Sequence, residues 1–243
     1  MVGRLSDADV FGELLRAQYK AGERQLHEIV ERDDGHLVVN HALLYFSGYD
    51  EWTPEERRAL KLVNGRVLDV GCGAGRHALY LQSQGIDVTG LDSSKGAIEV
   101  CRKRGLKKTV RMPVERLGGF RAESFDTITM FFNNFGLLQS ARKAKPLLRQ
   151  LHRITAPGGR IIAHCAKPAD RAYAAMNRKR GRMSGQLRIR HRFGSLIGPW
   201  FDYLLVSPEE MKTLLTGTGW RLERLIHDRA RQRYVALIRR HRA

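Results

Sequence analysis

The chain has 243 residues, a formal net charge of +18 and a hydrophobic fraction of 42%. This length supports a full hydrophobic core, and the apolar content excludes a wholly disordered chain. No apolar run is long enough to cross a bilayer, and the first seven residues lack the apolar core of a signal peptide. Three cysteines fit a reducing compartment better than a disulfide framework, so we expect a cytoplasmic protein.

The positive charge is concentrated towards the end of the sequence. Residues 166–243 carry 18 basic and 6 acidic residues, whereas residues 1–65 carry 8 and 12. Such a region can attract RNA, or it can be a generally basic surface that guides a small anion inward. The arginines are scattered rather than gathered in one block, which favours the second interpretation.

The first 60 residues predict helices. Apolar side chains recur at helical spacing over residues 6–32, and residues 45–52 hold an aromatic cluster. Thr53 followed by Pro54 predicts the start of a second helix. We expect this part of the chain, residues 1–60, to form a helical lid.

From Arg66 onwards, short apolar runs alternate with helical segments, which predicts a parallel sheet with helices on both faces. The predicted strands cover residues 67–70, 87–92, 109–112, 125–132 and 160–165, and the helices between them cover 76–84, 94–104 and 141–154. Residues 166–206 interrupt this rhythm as an insertion, with a helix over 169–179 and an extended stretch over 186–200. Ser207 and Pro208 predict a further helix start, and residues 219–226 and 233–238 predict a terminal hairpin.

A glycine-rich turn, DVGCGAGR over residues 69–76, joins the first of these strands to a helix. Glycines permit positive φ angles and close approach of a ligand, and the helix N-terminus offers free N–H groups. Asp92 ends the next strand, where an acid can bind both hydroxyls of a ribose. A nucleoside cofactor is therefore predicted. A dinucleotide dehydrogenase fits less well, because Arg76 stands at the third glycine of its fingerprint and Asp69 would repel a pyrophosphate.

The segment VLDVGCGAG over residues 67–75 resembles motif I of class I S-adenosylmethionine-dependent methyltransferases. Similarly, LDSS over 91–94 resembles their acidic loop, SFDTI over 124–128 their fourth strand, and PGGRII over 157–162 the turn into their fifth. The resemblance implies S-adenosylmethionine as cofactor and a Rossmann-like, doubly wound α/β fold. Its seven-stranded sheet has the order 3-2-1-4-5-7-6 with strand seven antiparallel. The methyltransferase domain would cover residues 61–243, with the insertion before strand six.

The resemblance also implies which residues hold the cofactor. Gly71 and Gly73 would approach its methionine part, Asp69 its amino group and Asp92 its ribose. The adenine contact falls on residues 112–114, where Pro113 replaces the acid usual in the family. The full cofactor-binding set is Asp69, Gly71, Cys72, Gly73, Asp92, Ser93, Met112, Pro113, Val114, Phe131 and Phe132. No residue spacing suggests a metal.

The acceptor is less clearly indicated. Strand four ends in FFNNFG over residues 131–136, without the prolines of the adenine- and cytosine-amino methyltransferases or the Pro-Cys pair of the cytosine-C5 enzymes. Asn133 and its neighbours instead resemble a segment of glycine N-methyltransferase and related small-molecule enzymes. Asn133 is thus a candidate substrate-side and catalytic residue, and the alternative is a turn residue. His164 is a candidate base or a structural histidine, with His191 and His41 as weaker candidates.

Two further groups could complete an acceptor pocket. Tyr45 and Tyr49 could line it from the lid, or they could belong to an N-terminal packing cluster. Arg188 and Arg190 could grip a carboxylate or phosphate, or they could form a solvated strand face.

We therefore expect an S-adenosylmethionine-dependent methyltransferase that acts on a small anionic or zwitterionic acceptor by direct in-line transfer. The alternatives are an RNA methyltransferase, which is not favoured, and a non-catalytic cofactor-binding protein. The sequence specifies neither the methylated atom nor the oligomeric state.

Overall fold

The computed structural model describes residues 9–230 and 232–241. Its strands are β1 (His27–Arg32), β2 (Leu37–His41), β3 (Val67–Val70), β4 (Val88–Asp92), β5 (Lys108–Arg111), β6 (Phe125–Met130), β7 (Thr155–Ala166), β8 (Gly185–Phe193), β9 (Leu196–Ile197), β10 (Phe201–Leu205), β11 (Trp220–His227) and β12 (Arg233–Arg240). Its α-helices are α1 (Val10–Ala21), α2 (Pro54–Leu60), α3 (Arg76–Ser83), α4 (Lys95–Lys103), α5 (Ala141–Ile154), α6 (Arg171–Lys179) and α7 (Pro208–Leu215). The chain start, on which the signal-peptide prediction depended, lies outside the described residues.

Seven strands form the central sheet in the order β5-β4-β3-β6-β7-β12-β11. The first five of these are parallel to one another, whereas β12 is antiparallel to both β7 and β11. Counted from β3 as strand one, this is the order 3-2-1-4-5-7-6 with strand seven antiparallel. The predicted sheet is confirmed.

The middle strands of this sheet have continuous apolar runs in the sequence because both of their faces are buried. All four residues of β3 are buried, because helices cover both of its faces. On one side, α5 packs five buried side chains against the sheet, at the spacing of one helical face: Ala144, Leu147, Leu148, Leu151 and Ile154. The observed bounds of α5, Ala141–Ile154, are those that the sequence predicts.

Two helices begin as their sequences predict. Thr53 accepts a hydrogen bond from the Glu56 amide while the Glu56 carboxylate accepts one from the Thr53 amide, and Pro54 is the first residue of α2. Ser207 and Glu210 form the same reciprocal pair at α7. These contacts satisfy backbone N–H groups that have no partner within the helix.

A second, antiparallel sheet has the order β10-β8-β1-β2, with β9 beside β8. We call it the lid sheet. The helix predicted over residues 6–32 is wrong beyond Ala21, because residues 27–32 are β1. This strand pairs with β8, from Ile29 opposite Arg192 to Arg32 opposite Ile189. Within the described part of residues 1–60, which were expected to form a helical lid, the strands β1 and β2 thus lie between the helices α1 and α2.

Helix α1 lies across α4 at two glycines. A Cβ atom on Gly96 would come within 2.5 Å of the Gly12 backbone, so only glycine permits this close crossing. Asp9 joins the same two helices, since its carboxylate accepts hydrogen bonds from the amides of Gly12 and Gly96. The start of α1 is thereby held at the carboxyl edge of the central sheet. Among the described residues, no helix combines the length and the apolar character that a membrane span requires.

Candidate active site

The glycine-rich turn after β3 has the backbone that its sequence predicts. Gly71, Gly73 and Gly75 have φ angles of 72°, 55° and 83°. A Cβ atom on Gly71 would lie 2.5 Å from Nδ2 of Asn134. Asn134 in turn donates to the carbonyl groups of Val70 (3.0 Å) and Gly71 (2.7 Å), which stabilises the turn. These positive φ angles and the lack of side chains leave the backbone accessible to a ligand.

Asp92 ends β4 beside this turn and is buried. One carboxylate oxygen accepts a hydrogen bond from the Gly73 amide (3.0 Å), and the other accepts one from the Ser94 amide (2.9 Å). Burial raises the pKa of this carboxyl group, and the backbone N–H groups oppose that rise. The carboxylate is fixed in orientation and still has lone pairs for two hydroxyl donors.

Asp69, at the end of β3, is 2% exposed and accepts a hydrogen bond from the Thr129 hydroxyl (2.7 Å). Its pKa is raised to about 6, mainly by burial and also by the nearby Asp92, while the hydrogen bond from Thr129 opposes the rise. An ionised Asp69 therefore lacks a cationic partner, and an ammonium group of a ligand would supply one.

One cavity of about 870 Å³ brings the predicted cofactor residues together. Its lining includes every member of that set: Asp69, Gly71, Cys72, Gly73, Asp92, Ser93, Met112, Pro113, Val114, Phe131 and Phe132. Tyr45, predicted on the acceptor side, lines the same cavity. The volume lies in the upper part of the range of roughly 300–1,000 Å³ typical of ligand sites. Glycines without side chains, a fixed carboxylate and a buried, unpaired carboxylate together fit a nucleoside that carries an amino group.

The structure does not bring Asn133 to this cavity. Phe132 and Asn133 both have positive φ angles, 57° and 66°, and Asn133 does not line the cavity although Phe132 and Asn134 do. The Asn133 amide oxygen accepts a hydrogen bond from the Ala166 amide (2.7 Å), and its nitrogen donates to the Tyr203 hydroxyl (3.2 Å). Asn133 thus holds the end of β6 to β7 and β10, which is a structural position.

Three other residues considered for the acceptor side do not line the cavity and match their structural alternatives. Tyr49 stacks on Tyr80, with ring centroids 4.6 Å apart, and does not line the cavity. Arg190 forms a two-point ion pair with Glu31 (2.9 and 3.0 Å), and Arg188 is exposed on the same outer face of β8. Strand alternation explains this, because Leu187, Ile189 and His191 occupy the cavity face.

His164 is buried on β7, outside the cavity, and neither ring nitrogen has a hydrogen-bond partner among the described residues. Burial lowers its pKa. His77 does line the cavity, but it is already bound: its Nε2 lies 2.8 Å from Nη1 of Arg76, and its ring stacks on Phe131. Burial lowers the pKa of His77 to about 4, although Glu56 opposes the shift. Neither histidine is placed to take a proton from an acceptor.

The sequence did not indicate the lid-sheet wall of the cavity, and it named His191 only as a weaker candidate base. The lid sheet supplies an apolar wall, formed by Val30, Val38, Leu187, Ile189, Phe201 and Leu205. The same wall presents His191, whose Nδ1 lies 2.7 Å from the buried carboxylate of Glu28. Alternation along this extended stretch predicts that Leu187, Ile189 and His191 share one face, but no sequence pattern indicates the contact with Glu28.

Comparison with known proteins agrees with this geometry. Residues 68–163 match the family model described as a methyltransferase domain. The chain is 35% identical over 138 residues to "Cypemycin N-terminal methyltransferase" of a Streptomyces species, covering 55% of this chain and 54% of that protein. It is 30% identical over 122 residues to "Ubiquinone biosynthesis O-methyltransferase" of Nitrosococcus oceani, covering 48% and 50%. The chain thus spans about half the length of these curated relatives.

A solved structure covers the whole chain. It is an S-adenosylmethionine-dependent methyltransferase from Bacteroides fragilis in complex with S-adenosyl-L-homocysteine, with a TM-score of 0.84, 23% identity and complete coverage of both chains. At this identity the likeness shows the fold. Residues 68–163 thus match the methyltransferase-domain family, and the whole chain shares the fold of a solved S-adenosylmethionine-dependent methyltransferase.

Proposed function

We propose that this protein transfers a methyl group from S-adenosylmethionine directly to a small, largely apolar acceptor held between the central sheet and the lid sheet. The observation that carries the proposal is the shared cavity, which is lined by the glycine turn and Asp92 and also by the apolar wall of the lid sheet. When bound, S-adenosylmethionine supplies a methyl group on a positively charged sulfur.

The chain's own residues would hold this cofactor at three points. Asp92 would accept hydrogen bonds from the ribose hydroxyls, and Asp69 would pair with the amino group. Met112, Pro113 and Val114 would contact the adenine. With both reactants held in one cavity, alignment contributes much of the rate acceleration in a displacement of this kind.

The acceptor is proposed as largely apolar rather than anionic. The expected anion-binding residues, Arg188 and Arg190, lie on the outer face of β8, whereas Leu187 and Ile189 face the cavity. One relative is named as an N-terminal methyltransferase and the other as an O-methyltransferase of ubiquinone biosynthesis. Because the two names differ in the group that is methylated, the likeness supports no particular acceptor atom. RNA is included in the test because residues 166–243 carry more basic than acidic side chains.

Calorimetry with S-adenosylmethionine, S-adenosyl-L-homocysteine and NADH tests the cofactor assignment. We expect binding of the first two and none of NADH. Preferential binding of NADH, or no binding of either methionine derivative, would overturn the proposal.

Transfer of a labelled methyl group then tests the acceptor. Wild-type protein is incubated with labelled S-adenosylmethionine and, separately, a small-molecule extract or an RNA pool at several salt concentrations. We expect label in the extract. Label in RNA, with binding that weakens steeply as salt rises, would support the RNA alternative instead.

A further inference from the structure

The lid sheet brings a carboxylate and an imidazole together against the cavity. Glu28 lies on β1 and His191 on β8, and Nδ1 of the imidazole is 2.7 Å from the carboxylate. The Glu28 side chain is 1% exposed, whereas the His191 side chain is 22% exposed and lines the cavity. A buried carboxylate behind a partly accessible imidazole is the arrangement in which a histidine is oriented by one ring nitrogen and acts through the other.

The contacts of Glu28 decide which nitrogen carries the proton. Burial alone would raise the pKa of the Glu28 carboxyl, but hydrogen bonds from His191, Tyr45 and Asn40 outweigh burial and lower it. An ionised carboxylate only accepts hydrogen bonds, so Nδ1 of His191 must be the protonated nitrogen. Its Nε2 then has a free lone pair, and no described residue is hydrogen-bonded to it.

Ring contacts place this imidazole opposite the glycine turn. The His191 ring centroid lies 5.3 Å from that of Phe11 and 5.7 Å from that of Phe201. The end of the Phe11 ring would be 3.7 Å from a Cβ atom on Gly73. His191 is therefore one aromatic ring away from the turn that holds the predicted methionine part of the cofactor.

Few charged or titratable groups share the cavity face around His191. They are Glu28 and Arg32 from β1, Tyr45 from the short helix Ala42–Tyr45, Tyr203 and Asp202 from β10, and Asp9 at the start of α1. Asp202 is paired with Lys143. Arg32 is paired with Asp34, and Asp9 with the amides of α1 and α4. Burial raises the pKa of Tyr45 well above its usual value, and Glu28 raises it further, so the phenol stays protonated. Among these groups, His191 offers an unpartnered ring nitrogen, Nε2, with a free lone pair.

We propose that His191 is the general base of the reaction and that Glu28 and Tyr45 are its positioning residues, an inference that rests on the proposed methyl transfer. The acceptor atom, a hydroxyl oxygen or an amine nitrogen, forms its bond to the methyl carbon while the carbon–sulfur bond breaks and its electron pair stays on sulfur. The proton that the acceptor atom loses passes to Nε2. The resulting imidazolium is stabilised by Glu28 and returns the proton to solvent after the product leaves.

The first test needs no ligand. Nitrogen NMR of histidine-labelled wild-type protein should show His191 with a protonated Nδ1 and an unprotonated Nε2. In Glu28→Gln the uncharged amide no longer requires this tautomer, so the Nδ1-protonated signal should weaken. A protonated Nε2 in the neutral wild-type ring would overturn the proposal.

The second test measures initial rates of labelled methyl transfer to the small-molecule extract between pH 6 and pH 9. His191→Phe keeps an aromatic ring against Phe11 and Phe201 but removes the base, so the rate at pH 7 should fall about 100-fold. The rise of the wild-type rate with pH should also be lost. Glu28→Gln should give a smaller loss and a displaced pH profile, which a purely structural role would not produce.

Arg192→Gln is the matched control, because Arg192 follows His191 on β8 but faces away from the cavity towards Glu31. It should retain the wild-type rate, and all variants should bind S-adenosyl-L-homocysteine as the wild type does. Wild-type rate and pH profile in His191→Phe would refute the base while leaving the proposed function intact. Absence of cofactor binding by the wild type would instead refute the proposed function, and the base with it.

Discussion

At the level of single residues, the two buried carboxylates at the carboxyl edge of the central sheet differ in their partners. Asp92 is satisfied by two backbone N–H groups, whereas Asp69 has one hydroxyl donor. Burial raises the pKa of both groups. The protein thus keeps one carboxylate oriented for hydroxyl donors and another that gains from a cationic ligand, which matches the two ends of the proposed cofactor.

Asp69→Asn should stabilise the ligand-free protein at pH 8. The folded-state pKa of Asp69, about 6, lies above its ordinary value of 3.8. The protonated carboxyl therefore stabilises the fold below pH 3.8, and this contribution is lost as the pH rises through 6. Removing the charge should therefore raise the free energy of unfolding by up to about 3 kcal/mol at pH 8, with a smaller effect towards pH 4. Urea unfolding across this range measures the difference.

Asp126→Asn is the control for this prediction. Its pKa is lowered by the hydrogen bond from Arg66, so the substitution should destabilise the protein at pH 8. A loss of stability in Asp69→Asn at pH 8 would contradict the assignment of Asp69 as a charge without a partner.

Asp92→Asn should weaken binding of S-adenosyl-L-homocysteine by about 2 kcal/mol, because charge-assisted hydrogen bonds to the ribose are lost. Calorimetry measures the change. Asp87→Asn provides the comparison. Asp87 lies just before β4 and pairs with the exposed Lys108, so this variant should bind the ligand as the wild type does. Equal affinity in both variants would count against the ribose assignment.

Gly71→Ala should destabilise the protein more than Gly85→Ala. Both glycines have positive φ angles, 72° and 78°, so each alanine carries a backbone cost of about 1–2 kcal/mol. A Cβ atom on Gly71 also meets Asn134 at 2.5 Å, whereas one on Gly85 meets nothing within 4 Å. Urea unfolding measures the loss of unfolding free energy in each variant. The difference between the two losses is the cost of the contact with Asn134, and equal losses would mean that Asn134 moves aside without cost.

At the level of elements, a shared cap holds α1 against α4 and so against the central sheet. The Asp9 carboxylate accepts from the Gly12 amide (3.0 Å) at the start of α1, and from the Gly96 amide (2.8 Å) and the Ser94 hydroxyl (2.9 Å) at the start of α4. One side chain therefore serves the N-termini of two helices. This contact fixes the position of Phe11, and through it one wall of the cavity.

Asp9→Ala should accordingly lower the free energy of unfolding by about 2 kcal/mol, since caps contribute about 1 kcal/mol each. Asp170→Ala removes a cap from α6 alone and should lose about half as much. Thermal and urea unfolding measure both. A loss in Asp9→Ala no larger than that in Asp170→Ala would show that α1 does not depend on the shared cap.

At the level of the whole molecule, the cavity lies between the central sheet and the lid sheet, and each sheet contributes lining residues. The lid sheet is itself assembled from two distant parts of the sequence, β1–β2 and β8–β10. A ligand in the cavity therefore contacts both parts at once, which would couple its binding to the pairing of these strands.

Amide hydrogen exchange in β1 and β8 should slow when S-adenosyl-L-homocysteine binds, because a ligand that binds only the closed arrangement suppresses local opening. Exchange in β11, at the far edge of the central sheet, serves as the internal control and should not change. Protection confined to the glycine turn would show that the lid sheet is not part of the cofactor site.

The sequence by itself determined the central sheet, the glycine turn and Asp92. These features depend on contiguous residues, namely apolar runs of strand length, glycines that permit positive φ, and an acid at a strand end. The pairing of β1 with β8, the inward face of His191 and the outward face of Arg190 were decided only by the tertiary structure. Their hydrogen bonds join residues about 160 positions apart, as in Glu28–His191. No local pattern records such a contact, because spacing along one strand identifies a face but not what that face meets.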